Sequence, residues 1–163
     1  MPKEQPIEIF MPPNMLKAKV GGTIGGLDMA AVRRAEAAVE TLKVEFADWV
    51  GEDVANLVRC RDRFARKRDT ASRDELFRAA HDIKGQAATF EYPLIARVAG
   101  SLCKMLDALK TADAVPLNLV DAHVDAIRIV FRDKIRDSAN RMAIELAEEL
   151  EARVIETTER ATV

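Results

Sequence analysis

Ala80-His81-Asp82-Ile83-Lys84-Gly85-Gln86-Ala87-Ala88-Thr89-Phe90 is the stretch from which the rest of this chain can be placed. Leu76, Ala80, Ile83, Ala87 and Phe90 step by four, three, four and three, the spacing of one apolar helix face turned toward a core. On a neighbouring face Phe77, His81, Lys84, Gly85 and Ala88 form a second stripe, expected to face solvent. A glycine in mid-helix costs roughly 1 kcal/mol against alanine. A cost of that kind implies a use. One turn beyond His81 the backbone is bare, so a partner's loop can lie across it and reach the imidazole. Ala88 keeps the next turn low, and Lys84 places an ammonium on the same side. A free imidazole titrates near pH 6.5, so an exposed one is largely neutral at pH 7 and able to attack phosphorus. A nucleophilic histidine beside a cation and a clearing points to phosphoryl chemistry, which asks mainly for alignment and charge stabilisation.

The run Ala-His-Asp-Ile-Lys-Gly-Gln-Ala, closed by Phe90, resembles the signature of the histidine-containing phosphotransfer (HPt) family. Members are antiparallel, up-down four-helix phosphocarriers of multistep two-component relays, and the helical pattern of residues 50–136 is compatible with that bundle. The resemblance implies that His81 is the phosphoryl acceptor, that Lys84 gives electrostatic support and that Gly85 gives steric clearance. Phe77 and Ala88 are the expected partner contacts. The implied partners are receiver domains of response regulators and a hybrid histidine kinase, with no cofactor in this chain and Mg²⁺ held by the receiver. Glu91 departs from the pattern, because many members carry glycine there.

Composition agrees with a helical reading. At 163 residues and 48% apolar, the chain is long enough for one real core, and 5% aromatic with 32% charged residues favours helices with solvated faces over a sheet sandwich. A formal net charge of −2 provides no general pull toward nucleic acid or an anionic membrane. Cys60 and Cys103 form no C-x-x-C pair, so two buried reduced thiols are expected. The first residues lack a basic region followed by an apolar core, no apolar run approaches a membrane span, and a cytoplasmic protein is expected.

Residues 1–26 hold Pro2, Pro6, Pro12 and Pro13, then Gly21, Gly22, Gly25 and Gly26, and read as a flexible tail. No Lys-Ser/Thr follows the glycines, which removes a phosphate-cradling loop. Asp28 is a plausible cap for a helix to about Arg68, either continuous or bent near Gly51. Its stripe runs through Ala35, Val39, Leu42, Phe46, Trp49 and Val50 into Val54, Leu57 and Phe64, and Trp49 reads as packing. Arg59, Arg61, Arg63, Arg66, Lys67 and Arg68 read as a solvated helix end, with an electrostatic guide for an acidic receiver surface as the functional alternative. Ser72-Arg73-Asp74-Glu75 is a capping box for the His81 helix, and Tyr92-Pro93 ends it. Leu94, Val98, Leu102, Met105 and Leu109 follow on a third helix.

The last helix shows Val120, Val124, Ile127, Phe131 and Ile135 on one face, and Met142, Leu146, Leu150 and Val154 prolong the pattern to a helix of ~40 residues. Residues 28–49 and 138–158 then overhang the bundle as a two-helix extension within one domain over residues 27–163, which a homodimer would bury; the rival geometry folds residues 28–49 back at Gly51 onto the bundle of a monomer. The chain's other histidine, His123, lacks a cation or a clearing and reads as a flank residue of that helix. Two other functions fit the same sequence. One is a dimeric adaptor that binds and sequesters a receiver without transfer, and the other, weaker, is nucleic-acid binding through the arginine run.

Overall fold

The structure is a computed structural model, and it describes residues 28–136 and 139–162. The tail expected over residues 1–26 and the polar interval at Asp137-Ser138 lie outside the described residues. Five α-helices follow one another: α1 Met29–Lys67, α2 Thr70–Thr89, α3 Pro93–Ala108, α4 Leu117–Arg132 and α5 Arg141–Thr162, with a 3-10 turn at Ala112–Ala114 before α4. The described residues contain no strand, and the all-α class expected from the sequence holds.

The chain divides into two compact units at Glu40/Thr41. In the first, Asp28 caps α1 as expected, its carboxylate accepting from the Ala30 N–H at 3.0 Å. The core and the His81 region belong to the second unit. There α1 runs unbroken through Gly51, and it buries Val50, Val54, Leu57, Cys60 and Phe64. Gly51 permits close approach, since a Cβ on it would stand 3.3 Å from Phe131 Cζ of α4. Arg61 Nε donates to Asp121 at 2.6 Å across the same contact.

The α1–α2 turn differs from the expected capping box. Arg68 takes the left-handed conformation (φ 51°) and reverses the chain. Asp69 then caps α2, accepting from the Ser72 N–H at 2.8 Å and from the Ser72 hydroxyl at 2.6 Å. The cap thus lies three residues earlier than Ser72, which is buried, and Glu75 pairs with Arg63 of α1. A carboxylate directly after the reversal outcompetes a hydroxyl one turn further in. These bonds hold the Asp69 carboxyl below the usual carboxylate range, the Ser72 hydroxyl contributing most.

α2 ends where Tyr92-Pro93 requires, with the Tyr92 N–H bonded to Ala87 O at 2.9 Å and Glu91 in the left-handed region (φ 62°). This i to i−5 bond around a left-handed residue is the helix stop that glycine favours, and here Glu91 makes it. α3 is central, packing on α2, α4 and α5. Its expected core residues Leu94, Val98, Leu102, Met105 and Leu109 are all buried.

The last helix is not continuous. Lys134 adopts φ 51° and the Ile135 N–H bonds back to Val130 O at 3.0 Å, which stops α4. Asn140 then caps α5 through the Ala143 N–H at 3.1 Å. α5 packs against α3 and α4 instead of prolonging the bundle. Its buried stripe is Ala143, Ala147, Leu150 and Val154, while Met142 is 81% exposed. The expected phase through Met142 and Leu146 was led by side-chain size. The small alanines are what let α5 approach α3, and Arg97 fixes the contact with two bonds to Glu151 at 2.8 and 2.7 Å. Residues 141–158 therefore form no overhanging half of a two-helix extension.

Candidate functional site

The inner face of α2 holds His81 in place: Leu76, Ala80, Ile83 and Ala87 are buried, and Phe90 is half-buried. The outer face carries His81, Lys84, Gly85 and Ala88, all exposed, with Phe77 half-buried beside them. The Phe77 and His81 rings stack with centroids 6.2 Å apart and planes at 26°, which limits the imidazole's rotation and leaves its edge to solvent. Among the described residues no hydrogen bond engages either nitrogen of His81.

The clearing at Gly85 is real, since a Cβ there would meet nothing within 4 Å. The carbonyl of this bare turn is served by the Thr89 hydroxyl at 3.2 Å. His81 and Gly85 lie in an open groove of about 450 Å³ that Asp82, Gln86, Thr89, Phe90 and Trp49 complete. Trp49 corrects the sequence reading. It is 51% exposed and forms the α1 wall of the His81 groove. Its position in an apolar stripe hid this, because the groove exists only once α1 lies beside α2.

Lys84 and Ala88 are exposed on the same helix but stand outside the groove itself. The stem of Lys84 lies toward α3, where a Cβ on Gly100 would stand 3.7 Å from its Cδ and Cε. Its charge is felt by Cys103, whose thiol burial pushes up to about 11 while Lys84 partly opposes the rise. Asp53 on α1 has one buried oxygen lacking a hydrogen-bond partner among the described residues. Burial raises its carboxyl above the ordinary range, and Asp82 and then Glu52 add to the rise.

Most of the arginine run is engaged within the fold. Arg61 pairs with Asp121 and Asp62, Arg63 with Glu75 and Arg59 with Asn56. Arg68 covers the Phe64 ring at 4.7 Å and donates to Val115 O at 3.0 Å. Cys60 and Cys103 are both buried and free, as expected.

His123 does not sit on a flank. It is 0% exposed, with Nδ1 2.7 Å from Leu119 O and Nε2 3.1 Å from the Ser101 hydroxyl. A carbonyl only accepts, so Nδ1 carries the proton and the Ser101 hydroxyl donates to Nε2. Desolvation lowers its pKa and keeps the ring neutral, with the Leu119 bond opposing the shift. Apolar neighbours in sequence were the available signal for burial, whereas Ser101 on α3 was not foreseeable from local pattern.

A family model described as "Hpt domain" matches residues 41–154. The chain belongs to the Hpt domain family. The match starts at the first residue of the second compact unit and includes α5 to Val154. No curated protein and no solved structure matches the chain. An Hpt domain takes part in histidine phosphotransfer in phosphorelays as a carrier and not as a kinase, alongside response-regulator receivers and histidine kinases. Among the described residues of this Hpt domain, no group of three or more His, Cys, Asp and Glu is placed to hold a metal ion. No described helix is long and apolar enough to cross a membrane.

Proposed function

We propose that this Hpt domain carries a phosphoryl group on His81 between the aspartates of two receiver domains. The observation that supports this most is an exposed imidazole, unengaged at both nitrogens among the described residues, facing a groove whose floor is the bare turn at Gly85. The lone pair of one imidazole nitrogen attacks phosphorus of the receiver's aspartyl phosphate. The N–P bond forms as the P–O bond breaks, and the aspartate leaves as carboxylate with the electron pair; the second nitrogen keeps its proton. Transfer to the next receiver is the reverse, with that receiver's aspartate as nucleophile. Lys84 supplies positive charge beside the phosphoryl group, and Gly85 admits the receiver's loops.

Mg²⁺ belongs to the receiver's site in this scheme, and the phosphoryl group enters from a hybrid kinase through its receiver. Phe77 and Trp49 flank the histidine as contacts for the receiver, with Ala88 at the far end of the stripe. The compartment is the cytoplasm, where receivers work. A single copy carries the group in this reading, since residues 141–158 of the expected two-helix extension pack against α3 and α4.

Incubation with a radiolabelled phosphorylated receiver tests the proposal. Wild type is expected to gain acid-labile, base-stable phosphate, and His81→Gln to gain none while keeping its thermal stability. Tight receiver binding without transfer would instead establish the sequestering adaptor.

A further inference from the structure

Gly100 is partly exposed on α3, and no sequence motif draws attention to it. A Cβ built there would lie 3.7 Å from both Cδ and Cε of Lys84, ordinary contact distance, so the lysine stem passes over α3 at Gly100 with room for no side chain larger than a methyl. Two further facts agree. Lys84 is absent from the residues lining the His81 groove, and its ammonium acts on the Cys103 thiol, three residues beyond Gly100 on α3. Among the described residues no carboxylate lies within ion-pair distance of Lys84, so packing of the stem, and not a salt bridge, directs it. A four-carbon stem laid on an apolar surface with its charge in water is a common lysine arrangement.

We propose that Gly100 is a positioning residue for phosphoryl transfer: it seats Lys84 at the flank of His81, keeping the ammonium beside the phosphoryl group and out of the docking groove. Gly85 and Gly100 then have complementary tasks. The first leaves room for the partner, and the second leaves room for the cation. Without the seat, a lysine with four rotatable bonds samples orientations in solvent and loses its fixed relation to the ring.

The inference rests on His81 as phosphoryl acceptor, and its test separates the two. In the free protein, nuclear Overhauser contacts between Lys84 Hε and Gly100 Hα read the seat with no phosphate present; their absence would overturn the inference outright. The chemistry is read with phosphoramidate, from which the imidazole takes phosphoryl as the P–N bond to ammonia breaks. Lys84→Met is expected to slow uptake about threefold, the size of one partly solvated ion pair, and to flatten its dependence on salt. Gly100→Leu is expected to do the same in a protein whose circular dichroism is unchanged, and Gly100→Ala, which meets the stem at ordinary contact distance, is expected to restore the rate. The double variant Lys84→Met/Gly100→Leu is expected to be no slower than either single one. Additive losses would make Gly100 a structural residue only and overturn the proposal. Failure of wild type to take up phosphoryl would overturn the carrier reading and the seat's role in it, while the Overhauser contacts still report whether the seat exists.

Discussion

The two histidines occupy opposite environments in one bundle. His81 sits on the outer face of α2 with both nitrogens unengaged among the described residues, next to a turn with no side chain. His123 sits fully enclosed between α3 and α4 with both nitrogens satisfied by Leu119 and Ser101. The same ring is a nucleophile in waiting at one place and a structural connector at the other. What decides between these roles is where the hydrogen-bonding capacity goes: a ring whose nitrogens are consumed by the fold has no lone pair to offer phosphorus.

Breaking the core half of that comparison should give the largest effect on stability. His123→Ala removes two buried hydrogen bonds and opens a cavity, and a loss of about 3 kcal/mol is expected in denaturant unfolding. Phosphoryl uptake per folded molecule is expected to be unchanged, and a fall in uptake with unaltered stability would contradict the assignment of roles. At the surface half the balance reverses. Gly85→Gln fills the clearing and is expected to slow transfer from a receiver about tenfold, a barrier change of about 1.4 kcal/mol. The same substitution should raise stability by up to about 1 kcal/mol, because glycine is a poor helix former and nothing opposes the new side chain.

The pH dependence sharpens the contrast further. His123 has its folded pKa lowered by burial, so in acid the unfolded chain binds a proton that the folded chain refuses. The resulting stability is full above the ordinary histidine pKa and declines as pH falls below it, by at most about 1.4 kcal/mol per pH unit. Unfolding midpoints of wild type between pH 7 and pH 5 should therefore fall more steeply than those of His123→Leu. The smallest effect is expected at the end of the α2 helix. Glu91→Gly relieves a left-handed residue and should add about 1 kcal/mol or less without altering transfer.

Much of the site was legible because it is local. His81, Lys84, Gly85 and Ala88 share one helix, and their exposure follows from the spacing of Leu76, Ala80, Ile83 and Ala87 alone. Glu91 was singled out by comparison with a pattern, and its backbone is left-handed. The parts that escaped are contacts between helices. Trp49 reached the groove from α1, Gly100 took up Lys84 from α3, and Ser101 closed the bonding of His123. The break before α5 escaped for a related reason. Lys134 carries no glycine-like mark for the left-handed turn it adopts, and the buried Ala143 and Ala147 look weaker in sequence than the exposed Met142 and Leu146.

Helical periodicity by itself determined the all-α class, the face that His81 presents and the helix boundary at Pro93, since each depends on residues within a few turns of one another. Which side chains meet across the bundle was decided only in three dimensions. Helix pairing depends on the volumes of many residues at once, so a small one such as Gly51 sets a distance of approach that the linear sequence does not announce.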